Sequence, residues 1–137
     1  MDNNYNKIIK MALEARKNSY SPYSGFKVGA CLKDIYGNLY TGCNIENSAF
    51  SPSNCAERTA FFKAVSEGIK EFEGIAIAGG AGEVKDYCPP CGVCRQVMME
   101  FCNPETFKII LVKSEDIYKE MLLKDLLPEG FGRLNLE

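Results

Sequence analysis

Apolar side chains at Ile8, Met11, Ala12 and Ala15 recur every three or four positions, which predicts an amphipathic helix over roughly residues 4–18. Ser19 to Gly25, with Pro22 inside it, reads as a loop. The period then changes. Phe26, Val28, Ala30 and Leu32 alternate with Lys27, Gly29, Cys31 and Lys33, the signature of a half-buried strand. Asp34 to Asn38, with Gly37 near its tip, predicts a hairpin connection, and Leu39 to Ile45 the returning strand. A polar loop over Glu46–Asn54 leads to a helix from near Cys55 to a stop at Gly68. Gly74 to Ala78 carries no charge and reads as a buried strand. A loop over 79–90 follows, with Pro90 in the first turn of a helix running to about Phe101. Phe107 to Val112 is another buried strand, and the remainder through Pro128 predicts a short strand and a short helix.

Strands alternating with helices after an opening hairpin imply an α/β fold, with a mixed sheet and helices on both faces. The length of 137 residues fits one domain, 1–137, and 46% apolar residues can fill its core. A net charge of −2 supplies no electrostatic footprint for nucleic acid. The chain has no apolar run long enough to cross a bilayer, and its start lacks a charged-then-apolar signal pattern. A soluble, cytoplasmic protein is the expectation.

Histidine is absent, whereas cysteine occurs seven times, at positions 31, 43, 55, 88, 91, 94 and 102. An odd count without a secretion signal favours reduced thiols or metal ligands over a disulfide scaffold. Cys91 and Cys94 are three residues apart at a predicted helix start, and Cys55 opens another helix. Helix N-terminal amides favour thiolates, the form zinc requires. Three thiolates would leave a tetrahedral zinc one open position, the mark of a catalytic site. The C-x-x-C pair alone also suits a redox pair, buried thiols or half of a structural zinc site. Cys88, equally spaced with Cys91 and Cys94, could close a four-thiol site, although Pro89 and Pro90 hold it in an extended lead-in. Glu57 follows Cys55 by two residues and is the natural proton shuttle where no histidine exists; on its own it would be an ordinary first-turn acid. Arg58 and Arg95, each beside one of these residues, are candidates to offset thiolate charge through hydrogen bonds to sulfur.

The segments FKVGACL, TGCNIENSAFSPSNCAERTAFFKAVSEG, PCGVCRQVM and LLPEGFG resemble, in order and spacing, the small zinc-dependent cytidine deaminases. That resemblance covers nearly the whole chain. It implies a three-layer α/β/α fold around a mixed five-stranded sheet, and one zinc per subunit on Cys55, Cys91 and Cys94. It further implies that Glu57 is the acid/base group. Phe26 is similar to the aromatic that packs on the pyrimidine, and Asn44 and Glu46 to the pair that binds the ribose 3′-hydroxyl. The backbone of Ala56 resembles the contact to the base carbonyl. Phe131 resembles a C-terminal aromatic that enters a neighbour's site in a homotetramer, while Gln96 resembles a structural residue. Three positions depart from the family: Phe50 stands where tyrosine is frequent, Pro89 where serine is common, and Cys88 is an extra thiol.

The implied reaction is hydrolytic deamination of cytidine and 2′-deoxycytidine to the uridine products and ammonia, in pyrimidine salvage. A rival within the same chemistry is deamination of a free base, a nucleoside analogue or a cytosine in RNA. The rival of another class is a structural zinc or thiol-redox module.

Overall fold

The computed structural model describes residues 5–137. Asn6–Ala15 forms α1, whose Ile8, Ile9 and Ala12 are buried along one stripe. Arg16–Asn18 then tightens into a 3₁₀ turn, closed by Ser19 N–H on the Arg16 carbonyl. The α-helix therefore ends before the predicted residue 18, and residue 4 lies outside the described residues.

β1 (Lys27–Asp34) and β2 (Leu39–Cys43) pair antiparallel across a turn in which Gly37 takes φ 92°. Asp34, fully buried, clamps this turn. Its Oδ1 accepts from the Tyr36 and Asn38 backbone N–H groups, and its Oδ2 from the Asn38 amide and the Tyr40 hydroxyl. β2 stops before the predicted Ile45 because the Asn44 side chain takes the Val28 N–H, competing with the strand ladder. Ile45 instead bridges Tyr20 and Asn54 singly.

Ala56–Ser66 forms α2, and the chain leaves it through Gly68 at φ 91°. β3 (Phe72–Gly80) extends beyond the predicted apolar run at both ends, since its flanks keep pairing with β1 as far as Lys27 opposite Gly80. α3 (Gly92–Phe101) begins after Cys91, so Pro90 precedes the cap rather than lying in the first turn. β4 (Lys108–Val112), β5 (Tyr118–Leu122) and the short α4 (Leu123–Leu126) follow, and a 3₁₀ turn at Arg133–Asn135 comes last.

The sheet order is β2-β1-β3-β4-β5, antiparallel throughout except for the parallel β3/β4 pair bridged by α3. Alternation within the strands divides the core in two. Leu32, Ile75, Ile77, Ile109 and Leu111 face α2 and α3 through Phe61 and Met98. Cys31, Ala76, Ala78, Ile110 and Val112 face α1. The expected mixed five-stranded sheet with helices on both faces is the one observed. Gly42 permits the tight seating of α2: a Cβ there would lie 2.4 Å from the Ala56 carbonyl and 2.6 Å from the Ala60 nitrogen. Thr59 adds a polar tie, its hydroxyl 3.0 Å from the Cys43 carbonyl.

Candidate active site

Cys55 is the N-cap of α2 and Cys91 the N-cap of α3, both in extended backbone, with Cys94 in the first turn of α3. Two helix starts thus converge, and the three sulfurs lie within 4.8 Å of one another. The Cys55 and Cys91 sulfurs are 3.6 Å apart, and the Cys94 N–H donates to the Cys91 sulfur at 3.4 Å. Unpaired amides at both helix starts and their positive dipole ends favour thiolate at this point. Three soft donors aimed at one point fit zinc in both type and number. All seven cysteines are free thiols.

The acid–base character of the cluster is divided. A hydrogen bond from Cys94, then those from Arg58 and Cys91, pull the Cys55 thiol down to about 5 against the opposing effect of burial. The same hydrogen bond and burial push Cys94 up. Glu57 is only 4% exposed, and burial, followed among the raising effects by the Cys55 charge, pushes its carboxyl up to about 7. A carboxyl poised there can both accept and return a proton near neutral pH.

Arg58 reaches the cluster as expected, with Nη2 3.2 Å from the Cys55 sulfur. Arg95 does not. Its guanidinium donates to the Pro90 carbonyl at 2.7 Å and the Leu126 carbonyl at 2.6 Å, so it braces the loop before Cys91 rather than a sulfur. Cys88 falls outside the three-thiol group. It packs instead against Gly79, where an added Cβ would sit 2.8 Å from its sulfur, and burial pushes its thiol up to about 11. Cys31 and Cys102 are buried and Cys43 is half-buried, in keeping with small core residues.

Phe26 is 41% exposed and lines a cavity of about 350 Å³ with Gly79, Gly80, Lys85, Asp86 and Tyr87. Asn44 and Glu46 do more than their position in the sequence suggests, because both organise the loop before β1. Asn44 donates to the Phe26 carbonyl at 2.8 Å and accepts from Ser19 and the Val28 N–H. Glu46 accepts from the Tyr23 and Ser24 N–H groups, both at 3.0 Å, and from the Ser24 hydroxyl. These partners hold the Glu46 carboxyl below the usual carboxylate range, the Ser24 hydroxyl most of all. Sequence reasoning missed Ser19 and Ser24, which carry no motif of their own. Ala56 is the first residue of α2, so its N–H has no intrahelical acceptor. Phe131 is 56% exposed and Phe50 88%, both away from the core. Gln96 donates to the Phe131 carbonyl at 2.8 Å, a structural tether.

The family model for the cytidine and deoxycytidylate deaminase zinc-binding region matches residues 2–110. The chain belongs to this family. Among deaminases of the family, it is 45% identical to a cytidine deaminase of Sporosarcina psychrophila over 130 residues, covering 95% of this chain and 93% of that one. A cytidine deaminase of Halalkalibacterium halodurans is 44% identical, covering 90% and 91%. The crystal structure of the Burkholderia pseudomallei cytidine deaminase superposes with TM-score 0.85 at 41% identity, covering 93% of this chain and 99% of that one. That of Mycobacterium tuberculosis gives 0.80 at 34% identity, covering 96% and 99%. The zinc-binding region of the family and the convergent Cys55, Cys91 and Cys94 agree on the metal.

Proposed function

We propose that this protein hydrolytically deaminates cytidine and 2′-deoxycytidine, giving uridine or 2′-deoxyuridine and ammonia. The observation that carries the proposal is the buried Glu57 beside three converging thiols, in a chain so similar to cytidine deaminases. Cys55, Cys91 and Cys94 would hold the zinc, which when bound supplies Lewis-acid activation of water. Glu57 does the proton work: it takes a proton from the attacking water, delivers it to N3 of the ring, and assists protonation of the departing amino group. Arg58 offsets the negative charge of an all-thiolate site through its bond to Cys55.

Binding follows from the groups left available. The Ala56 N–H can donate to the base carbonyl, and the Phe26 ring can cover the base. Asn44 uses one amide hydrogen on Phe26, leaving the other to donate, and Glu46 retains acceptor capacity. A donor beside an acceptor suits a sugar hydroxyl such as the 3′-OH, which a polynucleotide chain would lack. Exposed Phe131, on a C-terminal segment tethered to α3, suits an aromatic completing a neighbour's site in a homotetramer.

A substrate panel followed by ultraviolet absorbance tests the proposal. Cytidine and 2′-deoxycytidine should turn over, with cytosine base and 3′-linked oligonucleotides poor substrates. Inert cytidine alongside a reactive analogue would overturn the substrate assignment.

A further inference from the structure

Arg16, just past α1, plays no part in the zinc cluster, yet it joins two separate stretches of backbone beside the cavity. Its Nε donates to the Lys27 carbonyl at 2.9 Å, immediately after Phe26. Its Nη2 donates to the Gly80 carbonyl at 2.9 Å and also to the Gly82 carbonyl. Lys27 and Gly80 are facing partners in the β1/β3 ladder, so one guanidinium ties the mouth of that strand pair and the loop leaving it. Phe26, Gly80 and Gly82 all line the cavity. The remaining grips on Phe26 come from elsewhere: Asn44 holds its carbonyl, and the Ser24 hydroxyl accepts from its N–H at 3.0 Å.

We propose that Arg16 is a positioning residue for nucleoside binding, fixing the distance between the Phe26 wall and the loop that begins at Gly80. This rests on the assignment of Phe26 to the pyrimidine site. The chemistry requires arginine: a planar fork with several fixed donors can address carbonyls in different directions, whereas a lysine ammonium on a single stem cannot span them. The close packing around it leaves little slack, since a Cβ on Gly29 would lie 2.6 Å from the Arg16 nitrogen and 3.0 Å from its Cγ. Freed of Arg16, the loop would sample other distances from Phe26 and bind base and sugar less well. The zinc cluster, held by α2 and α3, would remain.

The test compares Arg16→Lys and Arg16→Met with the wild type in the zinc-loaded enzyme. Zinc content, thermal midpoint, and kcat and KM for cytidine are measured in each, and Phe26→Ala serves as the reference for the pocket. Arg16→Met should raise KM about tenfold with kcat changed less than about threefold and zinc content unchanged. Arg16→Lys, the milder change and the safeguard against misfolding, should fail to restore KM. Restoration by lysine would mean that charge alone matters, and unchanged KM with only a lower thermal midpoint would mean a purely structural role; either overturns the proposal. If Phe26→Ala raises KM while neither Arg16 variant does, only the Arg16 role fails. If Phe26→Ala leaves KM unchanged, the pocket assignment fails and the proposal with it.

Discussion

Single residues decide whether this site is catalytic or merely structural. Cys88 was the thiol that could have closed a four-sulfur site, but its place against Gly79 leaves Cys55, Cys91 and Cys94 as the converging set. Cys88→Ser should therefore keep one zinc per chain, whereas Cys91→Ser should lose most of its zinc, as metal analysis after dialysis will show. Retention in both variants, or loss in both, would contradict the three-thiol assignment. The convergence of Cys55, Cys91 and Cys94 was legible in the sequence because their spacing and helix-start positions are local properties, whereas the role of Glu57 came from the resemblance to the deaminases. Arg95 was misjudged because sequence adjacency to Cys94 does not fix where a long side chain points. Its partners at Pro90 and Leu126 depend on tertiary packing. Arg16 carried no signal for the same reason, since its carbonyl partners lie 11, 64 and 66 residues away.

At the scale of elements, hydrophobic period located α1 and β1, glycine and proline signals located α2 and α3, and the 3₁₀ turn Arg133–Asn135 carried no signal, while side-chain chemistry set several ends. Asn44 ended β2 early by substituting for its ladder, and Cys91 rather than Pro90 set the start of α3. The β1–β2 turn makes a testable case. Burial opposes ionisation of Asp34, but hydrogen bonds from Asn38, Tyr40 and Tyr36 outweigh it and hold its carboxyl below the usual carboxylate value. A depressed folded-state value means that the stabilisation is present above the unfolded value near 3.9. It is lost as pH falls from there through the folded value. Asp34→Ala should destabilise the chain by about 2–3 kcal/mol at pH 7, measured by urea unfolding. The difference from wild type should shrink as the pH is lowered below about 4. A pH-independent difference would show that the charge of Asp34 contributes nothing.

For the whole molecule, the proposed homotetramer with shared sites gives a sharp expectation. Phe131→Ala and Glu57→Gln chains, each of low activity alone, should recover activity when unfolded and refolded together. Random mixing places wild-type Glu57 and a neighbour's wild-type Phe131 in roughly a quarter of the sites. No recovery, despite mixed oligomers seen by native mass spectrometry, would place Phe131 outside the neighbour's site. The deamination chemistry itself is tested most directly by one measurement, the ultraviolet-monitored turnover of cytidine by zinc-loaded Glu57→Gln protein beside wild type at equal zinc content. Loss of the proton shuttle should lower kcat at least ~10²–10⁴-fold. Turnover by Glu57→Gln at the wild-type rate would contradict Glu57 as the group that moves the protons.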